Sequence, residues 1–241
     1  MSQRDFYKLP YRPEIGCVLL VVLMALMCVF PFVLFDFMNG ALQKLHLQPS
    51  IALLAIFGIL IGGLVNVPVS RIERGFDQSL PYHRVYTSMG WIPVVGRQPT
   101  QTIIAVNLGG CVLPVLIALY ELRYIFGHSQ SAMLALVVAV SVNVGLCYFL
   151  ARPMPGIGIA MPAFASPAVA IGVAWLLLWP NAFDDVRAPV AFVAGISGPL
   201  IGADLLHLRH FARLSAGVVS IGGAGTFDGI VISGMLAALL T

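Results

Sequence analysis

From Ile15 to Phe35 the chain runs without a single charged side chain, and similar apolar stretches recur at about 50–69, 101–120, 131–150, 157–179, 189–208 and 214–240. About 20 apolar residues in a helix cover the ~30 Å hydrocarbon core of a bilayer, so each stretch has the length of a membrane span. With 59% hydrophobic and 10% charged residues and a mean hydropathy of +0.95, the chain has little with which to build a water-soluble surface. A transmembrane barrel is excluded, because barrels are written in short alternating strands and not in unbroken apolar runs. The expected fold is therefore all-α: one polytopic transmembrane bundle of about seven helices over 15–241, with one or two helices broken by proline or glycine. The lipid bilayer is its first partner.

The first apolar run is longer than the hydrophobic region of a cleavable signal and has no small-residue cleavage site after it, so it reads as a retained helix. Residues 1–14 form a basic arm, with Arg4, Lys8 and Arg12. The connection at 70–100 is the longest polar segment and carries Arg71, Arg74, Arg84 and Arg97. Lys and Arg accumulate on the cytoplasmic side of membrane proteins. With the amino terminus inside, the arm, the 70–100 loop, Arg152, Arg209 and Arg213 hold all of the 13 basic residues except Lys44, Arg123 and Arg187. The expected topology has the amino terminus in the cytoplasm, the carboxyl terminus outside, and the protein in the cell (inner) membrane. Asp36, Glu121, Asp184 and Asp185 then fall outside. The net charge of +3 is too dispersed for a nucleic-acid partner. Cys17, Cys28, Cys111 and Cys147 lie in apolar runs without disulfide or metal spacing and read as filler.

Two carboxylates interrupt the apolar pattern. Asp204 and Asp228 lie in GISGPLIGADLLHLRHFARLSAGVVSIGGAGTFDG, residues 195–229. A carboxylate near the bilayer centre costs about 2.5–3.5 kcal/mol on insertion scales, so such residues face a bundle interior or a wet cavity and have a partner there. Asn66, Asn107 and Asn143 fall at a similar expected depth to Asp204, which suggests a shared polar cavity. The segment 152–167, with four prolines, and the glycine-rich run at 220–226 are candidate helix breaks. Broken helices occur at membrane depth where the freed backbone faces protein or water.

Three chemistries are open to this site. As an ion or substrate site, Asp204 and Asp228 act with Asn66, Asn107, Gly222, Gly223, Gly225 and Thr226, and the protein couples a proton or cation to transport of a small solute. As an intramembrane hydrolase, Asp204 and Asp228 are the catalytic pair, with water as nucleophile and a membrane peptide as substrate. Asp204, His207 and His210 also fall at i, i+3, i+6, a stripe that together with Asp228 offers ligands for zinc, iron or manganese; a divalent metal is the cofactor this stripe suggests. On straight helices the two aspartates lie about 15 Å apart in depth at ~1.5 Å per residue, so they meet only if the last helix tilts, shifts or unwinds at Gly222, Gly223 and Gly225. A third role, as a non-catalytic subunit of a membrane complex, requires a large exposed apolar face. Association into a homo-oligomer is compatible with all three.

The phrases NVPVSRIE (66–73), NLGGCVLP (107–114), GPLIGADLLHL (198–208) and SIGGAGTFDGI (220–230) resemble the bacterial and archaeal polytopic membrane-protein family of domain of unknown function 1614. The resemblance covers residue 50 to the carboxyl end. It implies a polytopic membrane fold and singles out Asp204, His207 and Asp228, but it brings no activity with it.

Overall fold

The computed structural model describes residues 13–73, 83–87, 90–94, 101–154, 158–179, 183–208, 218–223 and 228–241. Among the described residues there are seven α-helices: α1 (Pro13–Gln43), α2 (Pro49–Gly62), α3 (Leu113–His128), α4 (Gln130–Leu150), α5 (Ala165–Leu177), α6 (Asp184–Ser197) and α7 (Gly229–Leu239). They form the expected bundle. Counting the irregular turns that extend α3 and α6, four segments are long and apolar enough to cross a membrane: Gly16–Gln43, Leu108–His128, Gln130–Leu150 and Asp184–His207. The other three helices are apolar but shorter. At ~1.5 Å per residue the 11 residues of α7 reach about 17 Å, roughly half of a hydrocarbon core.

The missing length is replaced by extended chain. Among the described residues seven strands accompany the helices: β1 (Asn66–Glu73), β2 (His83–Thr87), β3 (Gly90–Val94), β4 (Gln101–Asn107), β5 (Arg152–Met154), β6 (Gly158–Ala160) and β7 (Val218–Ile221). Strand β4 lies at the centre of a sheet, antiparallel to β1 and parallel to β7. The other four strands form the hairpins β2–β3 and β5–β6. This corrects several expected boundaries. The second helix stops at Gly62 instead of 69, because Pro68 lacks a backbone donor and holds Val67 in an extended conformation. Pro68 sits on an edge strand beside a bulge, where a missing donor does least harm. The third begins at Leu113 and not at 101, and it continues through the expected 121–130 loop to His128. The fifth begins at Ala165 and not at 157, since its proline-rich approach folds as the β5–β6 hairpin. The sixth begins at Asp184 and the seventh only at Gly229.

Helix α6 is the axis of the bundle. All residues from Val186 to Ile196 are buried, packed against α3, α4, α5 and α7. Its contact with α7 is close because both sides are small: a Cβ on Gly195 would lie 2.8 Å from the Ser233 carbonyl oxygen, and one on Gly234 would lie 2.6 Å from Ile196 Cγ1. Close approach of small residues is the usual way apolar helices gain packing energy without a hydrophobic driving force. Helix α1 is the opposite case: from Gly16 to Val33 its side chains are exposed, and only its end, including Met38, Ala41 and Leu42, enters the core.

Asn143 is not part of a cavity shared with the other asparagines. Pro199 has no N–H, so the Gly195 carbonyl loses its helical donor. Ser166 Oγ donates to that carbonyl at 3.2 Å, Asn143 Nδ2 reaches Ser166 Oγ at 2.9 Å and the Ala194 carbonyl at 2.8 Å, and Ser233 Oγ stands 2.6 Å from Ser166 Oγ. Four helices are joined in one buried polar knot. Asn143→Ala is expected to lower the midpoint of thermal unfolding in detergent, at a cost of about 1–2 kcal/mol, because it strips donors from two buried acceptors. An unchanged midpoint would mean that the knot contributes nothing to stability.

Candidate functional site

The site forms where regular helix gives out in two places. Beyond Ser197, α6 widens into the π-helix Gly198–Asp204, followed by the 3-10 turn Leu205–His207. A second π-helix, Leu108–Val112, joins β4 to α3. Such widened turns are rare and occur often at functional sites. Here they carry Asp204 and Cys111. Asn107 starts the second one: its Oδ1 accepts from the Gly110 N–H at 2.7 Å, while its Nδ2 donates to the Gly63 carbonyl at 2.7 Å and to Asn66 Oδ1 at 3.0 Å. Asn66 is paired with Asn107 in the β1–β4 ladder and also accepts from Ser220 Oγ of β7. One asparagine is buried and the other is exposed, so this polar chain runs from the interior to the surface.

After β7 the backbone turns sharply at Gly222, whose φ is +69°. A side chain there is disfavoured by collision of its Cβ with the following carbonyl. Space is also lacking. A Cβ on Gly110 would lie 2.0 Å from the Gly222 carbonyl oxygen, and a Cβ on Gly222 would lie 2.7 Å from the Gly110 carbonyl carbon. The two backbones touch, and this contact fixes the turn against the wall that holds Cys111. The Gly222 backbone lies close enough to the Asp204 carboxylate to favour its charged form. Asp228 caps α7, its Oδ1 accepting from the Ile230 N–H at 2.8 Å, and it lies within electrostatic reach of Asp204. Cys111, buried, is within electrostatic reach of both. The end of α6, the start of α7, the glycine turn and the second π-helix thus meet around two carboxylates.

The family model described as "Protein of unknown function (DUF1614)" matches residues 60–240. The chain belongs to this family. No curated protein and no solved structure matches it. The DUF1614 match begins near the end of α2 and includes every element named at the site, whereas α1 lies outside it.

Within the DUF1614 region, the residues singled out from the sequence are distributed as follows. Asp204 and Asp228 lie within electrostatic reach of each other, with the Gly222 backbone beside Asp204, and α7 starts only after Asp228. Asn66 and Asn107 lie in the adjoining wall, linked to Asp204 through the Gly110–Gly222 contact. Gly223 folds back on β7, its N–H donating to the Ser220 carbonyl at 3.2 Å. Gly225, Thr226 and His210 lie outside the described residues. His207 is buried; its Nδ1 lies 3.1 Å from the Gly202 carbonyl, and its ring lies 4.8 Å from that of Tyr148. Among the described residues no three His, Cys, Asp or Glu side chains gather into a metal-ligand set. Asp204, His207 and Asp228 are therefore not assembled as the ligand set that the helical stripe predicted, because the π-helix and the 3-10 turn break its periodicity. Cys111 and Ser220 went unrecognised as neighbours of the site, although both stand in the quoted phrases NLGGCVLP and SIGGAGTFDGI.

Proposed function

We propose that this protein resides in the cell (inner) membrane and couples a proton or small cation, carried by Asp204 and Asp228, to the movement of a small solute. One observation carries this reading: Asp204, on the π-helix beyond α6, and Asp228, at the cap of α7, lie within electrostatic reach of each other beside the Gly222 turn. Discontinuous helices that present amides and acids at depth are how transporters bind ions without a preformed aqueous pore. Asp228 accepts a backbone amide hydrogen from Ile230, and the Gly222 backbone favours the charged form of Asp204; amide donors of this kind stabilise negative charge. This arrangement suits reversible loading of a cation better than attack on an amide, for which a carboxylate must be positioned over a water and a scissile bond. In this reading the side rich in basic residues, which includes the sheet end of the bundle, faces the cytoplasm. The polar chain Asn66–Asn107 and Ser220 then lies on the inner route to the pair.

The test is ion flux in proteoliposomes holding the purified full-length chain. Under an imposed pH or sodium gradient, a pH- or sodium-sensitive dye should report flux. Asp204→Asn and Asp228→Asn should each reduce it by about tenfold or more, equivalent to about 1.4 kcal/mol in site occupancy. Asn143→Ala, in the separate polar knot, should retain flux in proportion to folded protein. Flux unaltered by both aspartate changes would remove the pair from the transport path.

A further inference from the structure

The opposite end of the bundle carries a second polar construction that plays no part in the proposed transport. Glu121, expected in an outer loop, is fully buried in α3. Both of its oxygens are engaged by one residue of the α1–α2 connection: the His46 N–H donates to Oε1 at 3.0 Å, and His46 Nδ1 lies 3.0 Å from Oε2. The imidazole is fixed from its other side as well. It stacks on Tyr124 with 3.3 Å between ring centroids, and Tyr120 donates its hydroxyl to the His46 carbonyl at 3.1 Å. A contact between carboxylate and Nδ1 that shares one proton leaves Nε2 as the ring's remaining polar atom. Four contacts from three residues thus hold one histidine in a single orientation.

This histidine borders a cavity of about 410 Å³ lined by His46, Tyr120, Arg123, Tyr124, Gly127 and His128. That volume lies within the range of small-molecule sites. Every charge the lining can carry in the physiological range is positive. The carboxylate of Glu121 is sequestered behind His46. Among the described residues Arg123 has no ion-pair partner, and its guanidinium offers a planar set of donors matched to an oxyanion. Cations in the last turn of a helix also complement its dipole, but that leaves unexplained why a fully buried glutamate should orient a histidine toward the same cavity.

We infer that this cavity binds an oxyanion of the phosphate-ester class, with Arg123 as its charge partner, His46 and His128 as flanking donors, and Glu121 as the positioning residue that sets His46. Two sources carry this chemistry: the headgroup of an anionic phospholipid and a water-soluble phosphate ester. The cavity belongs to a different end of the molecule from Asp204 and Asp228, so it is independent of the transport reading.

The experiment uses the full-length protein in nanodiscs. Thermal unfolding and native mass spectrometry compare phosphatidylglycerol with phosphatidylcholine discs, and the phosphatidylcholine discs are also titrated with glycerol phosphate and inorganic phosphate. Retention or stabilisation specific to phosphatidylglycerol identifies the lipid source; saturable stabilisation by the soluble phosphates identifies the other. In either case Arg123→Gln and His128→Asn, both at exposed positions, should weaken binding by about tenfold or more, and Glu121→Gln should weaken it through His46. Asp204→Asn should leave it unchanged. If neither source binds saturably, or if Arg123→Gln binds as wild type does, the inference is overturned.

Discussion

Gly110→Ala should give little or no folded, monodisperse protein after detergent extraction. The added methyl would stand 2.0 Å from the Gly222 carbonyl oxygen, and the atom in its way belongs to backbone, so no rotamer change relieves the contact. Overpacking a well-filled interior costs about 1–3 kcal/mol and more where the backbone must move, against a typical total stability of about 5–15 kcal/mol. Gly222→Ala should be similarly damaging by a different route: an L side chain at its positive φ costs about 1–2 kcal/mol before any clash is counted. Gly145→Ala is the control. It sits in α4 with nothing within 4 Å of the added carbon, and in a helix alanine is favoured over glycine by about 1 kcal/mol. Size-exclusion profiles and folded yield of the three variants should therefore separate Gly110 and Gly222 from Gly145. If Gly110→Ala folded as well as Gly145→Ala, the backbone contact that anchors the turn would be unsupported.

The class of the fold was legible because apolar length is a strong signal: runs of about 20 residues leave few alternatives. The late start of α7 was legible as one of three ways to bring Asp204 and Asp228 together, since Gly222, Gly223 and Gly225 marked a place where the last helix could tilt, shift or unwind. The sheet was not. Val67–Val69 and Ile103–Val106 adjoin apolar stretches and are apolar themselves, and periodicity cannot separate a short buried strand from a buried helical segment. What could have been read was Pro68, which forbids helix for Val67 and so places Asn66 outside α2. Glu121 was misplaced for another reason. A carboxylate seven residues before the end of α3 resembles a loop residue unless its partner is known, and that partner, His46, lies 75 residues away in the chain. The stripe Asp204, His207, His210 assumed a regular helix; Asp204 instead ends a π-helix and His207 a 3-10 turn, and His210 lies outside the described residues.

Asp228→Ala is expected to impair the protein twice, and the two losses can be separated. Alanine removes the cap of α7, worth about 0.5–2 kcal/mol, whereas asparagine caps about as well as aspartate. Asp228→Asn should therefore fold at wild-type yield, with an unfolding midpoint within a degree or two, and still lose flux. Asp228→Ala should lose both. A flux-competent Asp228→Asn protein would reduce Asp228 to a capping residue and leave Asp204 without a second acid.

That separation allows the two-carboxylate site to be tested directly by a double-mutant cycle in unfolding free energy at neutral pH, using Asp204→Asn, Asp228→Asn and the double variant. Residues that share one site couple by about 0.5–3 kcal/mol, while independent ones add to within about 0.3–0.5 kcal/mol. The account predicts a coupling above that limit, because neutralising either aspartate removes a charge that the other experiences. Strict additivity, with all three variants folded, would contradict it and would leave Asp204 and Asp228 as two unrelated polar residues at neighbouring helix ends.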